Sequence, residues 1–137
     1  MQFIQNNLSL VLLAAISGLM LLWSSFGRKL TGLKEVSAQE AVLLINHNDA
    51  LVLDVREDKE VAAGKIPNAK HIPLGQLPGR TQELLKFKDK AIVVNCRSGM
   101  RSASACRMLA KDGFTQVYNL KGGIIAWEKD NMPMEKK

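Results

Sequence analysis

The first 27 residues of this chain contain no Asp, Glu, Lys, Arg or His. All 19 basic and 13 acidic residues lie in the remainder, which therefore carries the whole formal charge of +6. Cysteine is scarce. Two residues in 137 exclude a disulfide framework and a four-cysteine zinc site. Histidine is equally scarce, and His47 and His71 are too scattered for a metal site. There is no interleaving of aromatic and basic residues, which argues against a nucleic-acid partner. The charged fraction of 23% is ordinary for a globular protein and excludes wholesale disorder. The length allows one compact domain and leaves little for a second.

In place of charge, the first segment has an apolar run. Leu8 to Phe26, LSLVLLAAISGLMLLWSSF, is 19 residues with serine as its polar interruption. At roughly 1.5 Å per helical residue this approaches the ~30 Å hydrocarbon thickness of a bilayer. Phe3 and Trp23 stand near its two ends, where aromatic rings favour the interface. A cleaved signal peptide would carry Lys or Arg ahead of the run and small residues at a cleavage site, whereas the leading residues MQFIQNN are uncharged. A core helix apolar all round is foreign to a domain of this size. The expectation is one transmembrane helix within an anchor over 1–27, followed by a juxtamembrane linker over 28–36. Arg28, Lys29 and Lys34 follow the run, so the positive-inside rule places the domain in the cytoplasm of a bacterial-type inner membrane, single-pass. The modest basic excess suits an anionic substrate and an anionic inner leaflet. The lipid bilayer is then one partner, and a membrane protein is a possible second.

Residues 37–130 read as alternating helix and strand, ahead of a frayed tail over 131–137. Ser37-Ala38-Gln39-Glu40 has the spacing of a capping box and opens a helix through about Asn46, with Ala41, Leu44 and Ile45 on one side. Ala50 to Val55 and Ala91 to Asn95 are short apolar runs, suited to strands buried on both faces. Turn chemistry at 66–69, an extended piece at His71-Ile72-Pro73 and a helix over Thr81 to Phe87 lie between them. Ser102 to Lys111 reads as a helix stopped at Gly113, Val117 to Leu120 as a third strand, and Gly122-Gly123 as the lead into a short helix around Trp127. The fold class is α/β, a mainly parallel sheet with helices on both faces, and ligands gather beyond the carboxyl ends of such strands.

The chemistry sits after the second long strand. Cys96 follows the run AIVVN directly, and Arg97-Ser98-Gly99-Met100-Arg101-Ser102 leads from it into a helix. Such a loop can curl so that successive backbone N–H groups face the sulfur, with Gly99 permitting the unusual dihedrals. The helix N-terminus, Arg97 and Arg101 add positive charge, and each effect favours thiolate over thiol. A lone cysteine after a strand is also an ordinary small hydrophobe. The conjunction of buried strand, Cys, Gly-bearing basic loop and helix start points instead to a nucleophile in an anion cradle. Cys106 falls with Ala103, Leu109 and Ala110 at spacings of three and four, which reads as a buried helix face and not as a resolving thiol.

CRSGMRS after an apolar strand resembles the active-site loop of rhodanese-fold sulfurtransferases. Leu51 to Glu57, Glu60, Gly64 to Ala69, His71-Ile72-Pro73, Asn119 to Ile124 and Trp127 resemble further family segments in order. The resemblance implies a single-domain sulfurtransferase in which Cys96 carries a persulfide from a small anionic donor such as thiosulfate to a thiophilic acceptor, a small molecule or a protein thiol. It implies Arg101 as the main anion contact, with Arg97 more exposed. Ser98, Gly99, Met100 and Ser102 would complete the substrate-binding loop. Asp54 and Arg56 would support it by pairing with neighbouring loops, and Glu60 is most simply the partner of a nearby Arg. No metal or organic cofactor is required. Two other classes stand beside this one: a membrane-tethered interaction module, and a cysteine phosphatase. Four residues separate Cys96 from Arg101, whereas the related phosphatases have five, and the tighter ring fits one sulfur better than a phosphoryl group.

Overall fold

A computed structural model describes residues 2–30 and 33–136, with side chains described outside 24–30. The chain divides into two units, residues 1–32 and 33–137. The first unit is helical: α1 over Gln2–Asn6 and α2 over Leu8–Leu30. Among the described residues, no helix is long and apolar enough to cross a membrane. The last three residues of the expected span, and Arg28 and Lys29, lie where side chains are outside the described residues.

The second unit holds a five-stranded sheet in the order β1-β5-β4-β2-β3, every pair parallel. Its elements are β1 (Lys34–Val36), α3 (Ala38–Asn48), β2 (Leu51–Asp54), α4 (Asp58–Ala62), β3 (Lys70–His71), a 3-10 turn at Leu74–Gln76, α5 (Leu77–Arg80), a 3-10 helix at Thr81–Phe87, β4 (Ala91–Asn95), α6 (Met100–Lys111), β5 (Gln116–Leu120) and α7 (Gly123–Lys129). Ser37 caps α3, its Oγ accepting the Glu40 N–H at 3.1 Å, a contact worth about 1 kcal/mol.

The central strand decides the packing. All five residues of β4 are buried. Ile92 and Val94 enter a core with Leu53, Leu109 and Phe114, while Val93 enters a second core with Val52, Leu120 and Trp127. Side chains thus alternate into two apolar layers, the arrangement that continuous apolar runs require.

Four expectations change on contact with the structure. Residues 34–36, read as linker, form β1, because pairing with Tyr118, Asn119 and Leu120 overrides two exposed charged residues. The segment 81–87 is a 3-10 helix preceded by the short α5. Helix α6 begins two residues earlier than Ser102, because Gly99 at φ 108° turns the chain directly into it. The tail docks where it was read as frayed: the Trp127 indole N–H donates to the Pro133 carbonyl at 2.8 Å, and Lys65 and Glu135 form an antiparallel bridge.

Candidate active site

Cys96 leaves the carboxyl end of β4, the middle strand, and is 1% exposed. The backbone N–H of Gly99 donates to its Sγ at 3.0 Å, and the Ser102 hydroxyl lies 3.4 Å away. Ser102 is the third residue of α6, where a helix N–H has no intrahelical partner, and that N–H is turned toward the sulfur. Burial pushes the Cys96 thiol up. The adjacent Ser102 hydroxyl and hydrogen bonds from the N–H groups of Ser102, Gly99 and Ser98 outweigh it, so the thiol sits below its ordinary value.

The loop is held from behind. The Ser102 hydroxyl donates to Asn119 Oδ1 at the end of β5, and the Asn119 amide donates to the Gly99 carbonyl at 3.1 Å. The first turn of α7 takes the other side: the Ile124 N–H donates to the Cys96 carbonyl at 2.9 Å, and that of Ile125 to the Arg97 carbonyl at 3.2 Å. Gly123 makes this approach possible. A Cβ there would stand 2.5 Å from both of those carbonyl oxygens.

The expected site residues divide. Cys96, Ser98, Gly99 and Ser102 are brought together around the sulfur. Arg97 is exposed and Met100 is 80% exposed, so neither side chain closes over the thiol. Arg101, expected as the main anion contact, pairs with Glu60: its Nη1 and Nη2 donate to Glu60 Oε1 and Oε2 at 2.7 and 2.9 Å. Glu60 is held down to about 2 chiefly by that hydrogen bond. Asp54 and Arg56 form a buried pair at 2.7 Å, and Arg56 reaches on to the carbonyls of Gly64 and Glu60. That is pairing with loops, away from the sulfur. The buried face of α6 is Ser102, Ala105, Cys106 and Leu109; Ala103 is half-buried and Ala110 exposed, one position off the expected stripe. Burial pushes the Cys106 thiol up to about 12.

Sequence reasoning missed Asn119 as a site residue. Its signal was its register, since it pairs with Val94 in β4, two residues before Cys96.

The comparisons agree with this geometry. Residues 37–130 match the family described as "Rhodanese-like domain". The chain is 45% identical over 102 residues to "Putative sulfurtransferase YtwF" of Bacillus subtilis, covering 74% of this chain and 96% of that protein. It is 42% identical over 91 residues to "Sulfurtransferase" of Allochromatium vinosum, covering 66% and 83%. The crystal structure of a rhodanese-related protein from Thermoplasma volcanium superposes with TM-score 0.66 at 34% identity, covering 76% of this chain and 99% of that one. A parallel sheet, a buried cysteine on its central strand, a cradle of N–H groups and these similarities together place the chain in the rhodanese-like domain family, with sulfurtransferases among its relatives.

Proposed function

We propose that the protein is a sulfurtransferase that moves sulfane sulfur from thiosulfate or a similar donor to a thiophilic acceptor through a persulfide on Cys96. The observation that carries this is the Gly99 N–H aimed at the buried Cys96 Sγ at 3.0 Å. A thiolate there attacks the outer sulfur of the donor. The Sγ–S bond forms, the donor S–S bond breaks, and sulfite leaves with the electron pair. The terminal sulfur of the resulting persulfide bears the negative charge. Preorganised N–H donors stabilise it as an oxyanion hole stabilises oxygen, without reorganisation cost at the moment of reaction. An acceptor nucleophile, cyanide in an assay or a thiol in the cell, then removes that sulfur and restores the thiolate, which is ping-pong covalent catalysis.

Mass spectrometry of the protein after thiosulfate treatment tests the reading. The expected result is a gain of one sulfur on Cys96, absent in Cys96→Ser. Cys96-dependent hydrolysis of aryl phosphates without any persulfide would replace it with a phosphatase.

The same proposal includes attachment to a membrane through residues 8–26, with the domain on the cytoplasmic side. Its support is the charge-free apolar run and the basic residues that follow it. Retention in the membrane pellet after alkaline washing is expected; release into the supernatant would remove this part of the reading.

A further inference from the structure

Two arginines near the sulfur loop are paired before any substrate arrives. Arg56 is neutralised by Asp54. Arg101, which closes the loop, is neutralised by Glu60 through two parallel hydrogen bonds. Glu60 is itself fixed: its Oε1 also accepts the Glu57 N–H at 3.1 Å in the capping box of α4. Among the described residues, Arg97 is the loop arginine with no carboxylate partner, and it is exposed. A dianion entering the loop therefore meets N–H dipoles and a paired guanidinium, with little net positive charge. N–H dipoles suffice for the single charge of a persulfide sulfur. They are a poorer match for thiosulfate, whose sulfonate end brings a second charge.

We propose that Glu60 determines donor specificity: by neutralising Arg101 at the Cys96 loop it sets the site for a thiol-borne persulfide of low charge in preference to dianionic thiosulfate. This rests on the sulfurtransferase reading and narrows its donor class. The step balances without an outside oxidant. The Cys96 thiolate attacks the outer sulfur of R–S–SH, the Sγ–S bond forms and the donor S–S bond breaks. RS⁻ leaves with the electron pair and takes the proton of the transferred –SH. Cys96 is left as Sγ–S⁻ beside free RSH.

The experiment compares the rate of sulfur loading on Cys96 from thiosulfate and from 2-hydroxyethyl hydropersulfide, a donor with at most one negative charge, by quench and mass spectrometry of the full chain. In the wild type the persulfide should load faster at equal concentration. In Glu60→Gln the thiosulfate-to-persulfide rate ratio should rise roughly tenfold, the scale of one unit charge a few ångströms away in a largely water-screened site, through a lower thiosulfate KM and with an effect that shrinks at high salt. The double variant Glu60→Gln/Arg101→Ala should return the ratio to the wild-type value. An unmoved ratio, or one that stays high in the double variant, overturns the proposal. If Glu60→Gln does not fold, Arg101→Gln leaves the Glu60 charge bare and should shift the ratio the other way; no shift overturns the proposal equally. Sulfur absent from Cys96 with both donors in the wild type sinks the sulfurtransferase reading and this inference together. A ratio indifferent to Glu60 with normal loading sinks the inference alone.

Discussion

Cys96 and Cys106 stand ten residues apart, at 1% and 2% exposure, in one apolar core. Their thiols behave oppositely. Burial pushes Cys106 up to about 12, the ordinary outcome for a group whose charged form has lost its water. Cys96 is desolvated too, yet the Ser102 hydroxyl and the N–H groups of Ser102, Gly99 and Ser98 bring it below its ordinary value. Removal from water alone makes an inert sulfur. Removal from water together with aimed donors makes a nucleophile. The position of the sulfur relative to a helix start decides between them: Cys96 precedes α6 and meets its unpaired N–H groups, whereas Cys106 lies inside α6, where the N–H groups are already bonded.

The contrast is most simply broken by exchanging the nucleophile. Cys96→Ser should reduce sulfur transfer to background, and Cys106→Ala should not, measured as thiocyanate formed from thiosulfate and cyanide. The next largest effect is expected at Gly123→Ala. The added Cβ would press on the Cys96 and Arg97 carbonyl oxygens at a residue with φ 59°, which should cost about 2–4 kcal/mol of stability. Urea unfolding reads the stability, and activity should fall with it because the same carbonyls fix the loop. Ser102→Ala removes the hydroxyl 3.4 Å from the sulfur and leaves Asn119 Oδ1 without its donor. Iodoacetamide alkylation of Cys96 at neutral pH should slow roughly tenfold, the scale of one hydrogen bond to a charged group.

The smallest effect belongs to Cys106→Ala, which should cost about 1 kcal/mol for the lost contacts of a small buried side chain. It carries a pH signature. A thiol raised in the folded state holds its proton more tightly there than in the unfolded chain. Stability is therefore undiminished below the ordinary value of 9.0 and falls as pH rises from there toward about 12. The variant should lose that alkaline slope in denaturation curves measured from pH 8 to 11, and an unchanged slope would assign it to other groups.

Much of this was legible in the sequence because it is local. The runs LVLD and AIVVN are apolar without alternation, and that pattern suits strands covered on both faces; Ser37 three residues before Glu40 is a local cap. Cys96, Gly99 and Ser102 are close in sequence and therefore close around the sulfur. What stayed hidden is made by partners far along the chain. Lys34-Glu35-Val36 has no strand pattern until β5 lies beside it. Asn119 enters the site through a register 25 residues from the loop's own strand. Glu60, 41 residues from Arg101, was legible as the partner of some arginine, but which one depends on where α4 is laid down. A motif shows a guanidinium in the loop, and the fold shows that the Glu60 carboxylate holds it.

The account rests on the claim that donors separate the two thiols, both of which are closed off from the surface. Its most direct measurement is pH-resolved iodoacetamide labelling of the folded protein, with both cysteines quantified by peptide mass spectrometry. The expected result is Cys96 alkylated with a midpoint below 9.0 while Cys106 stays unlabelled up to the onset of unfolding. Two cysteines that label together over the same pH range would contradict it.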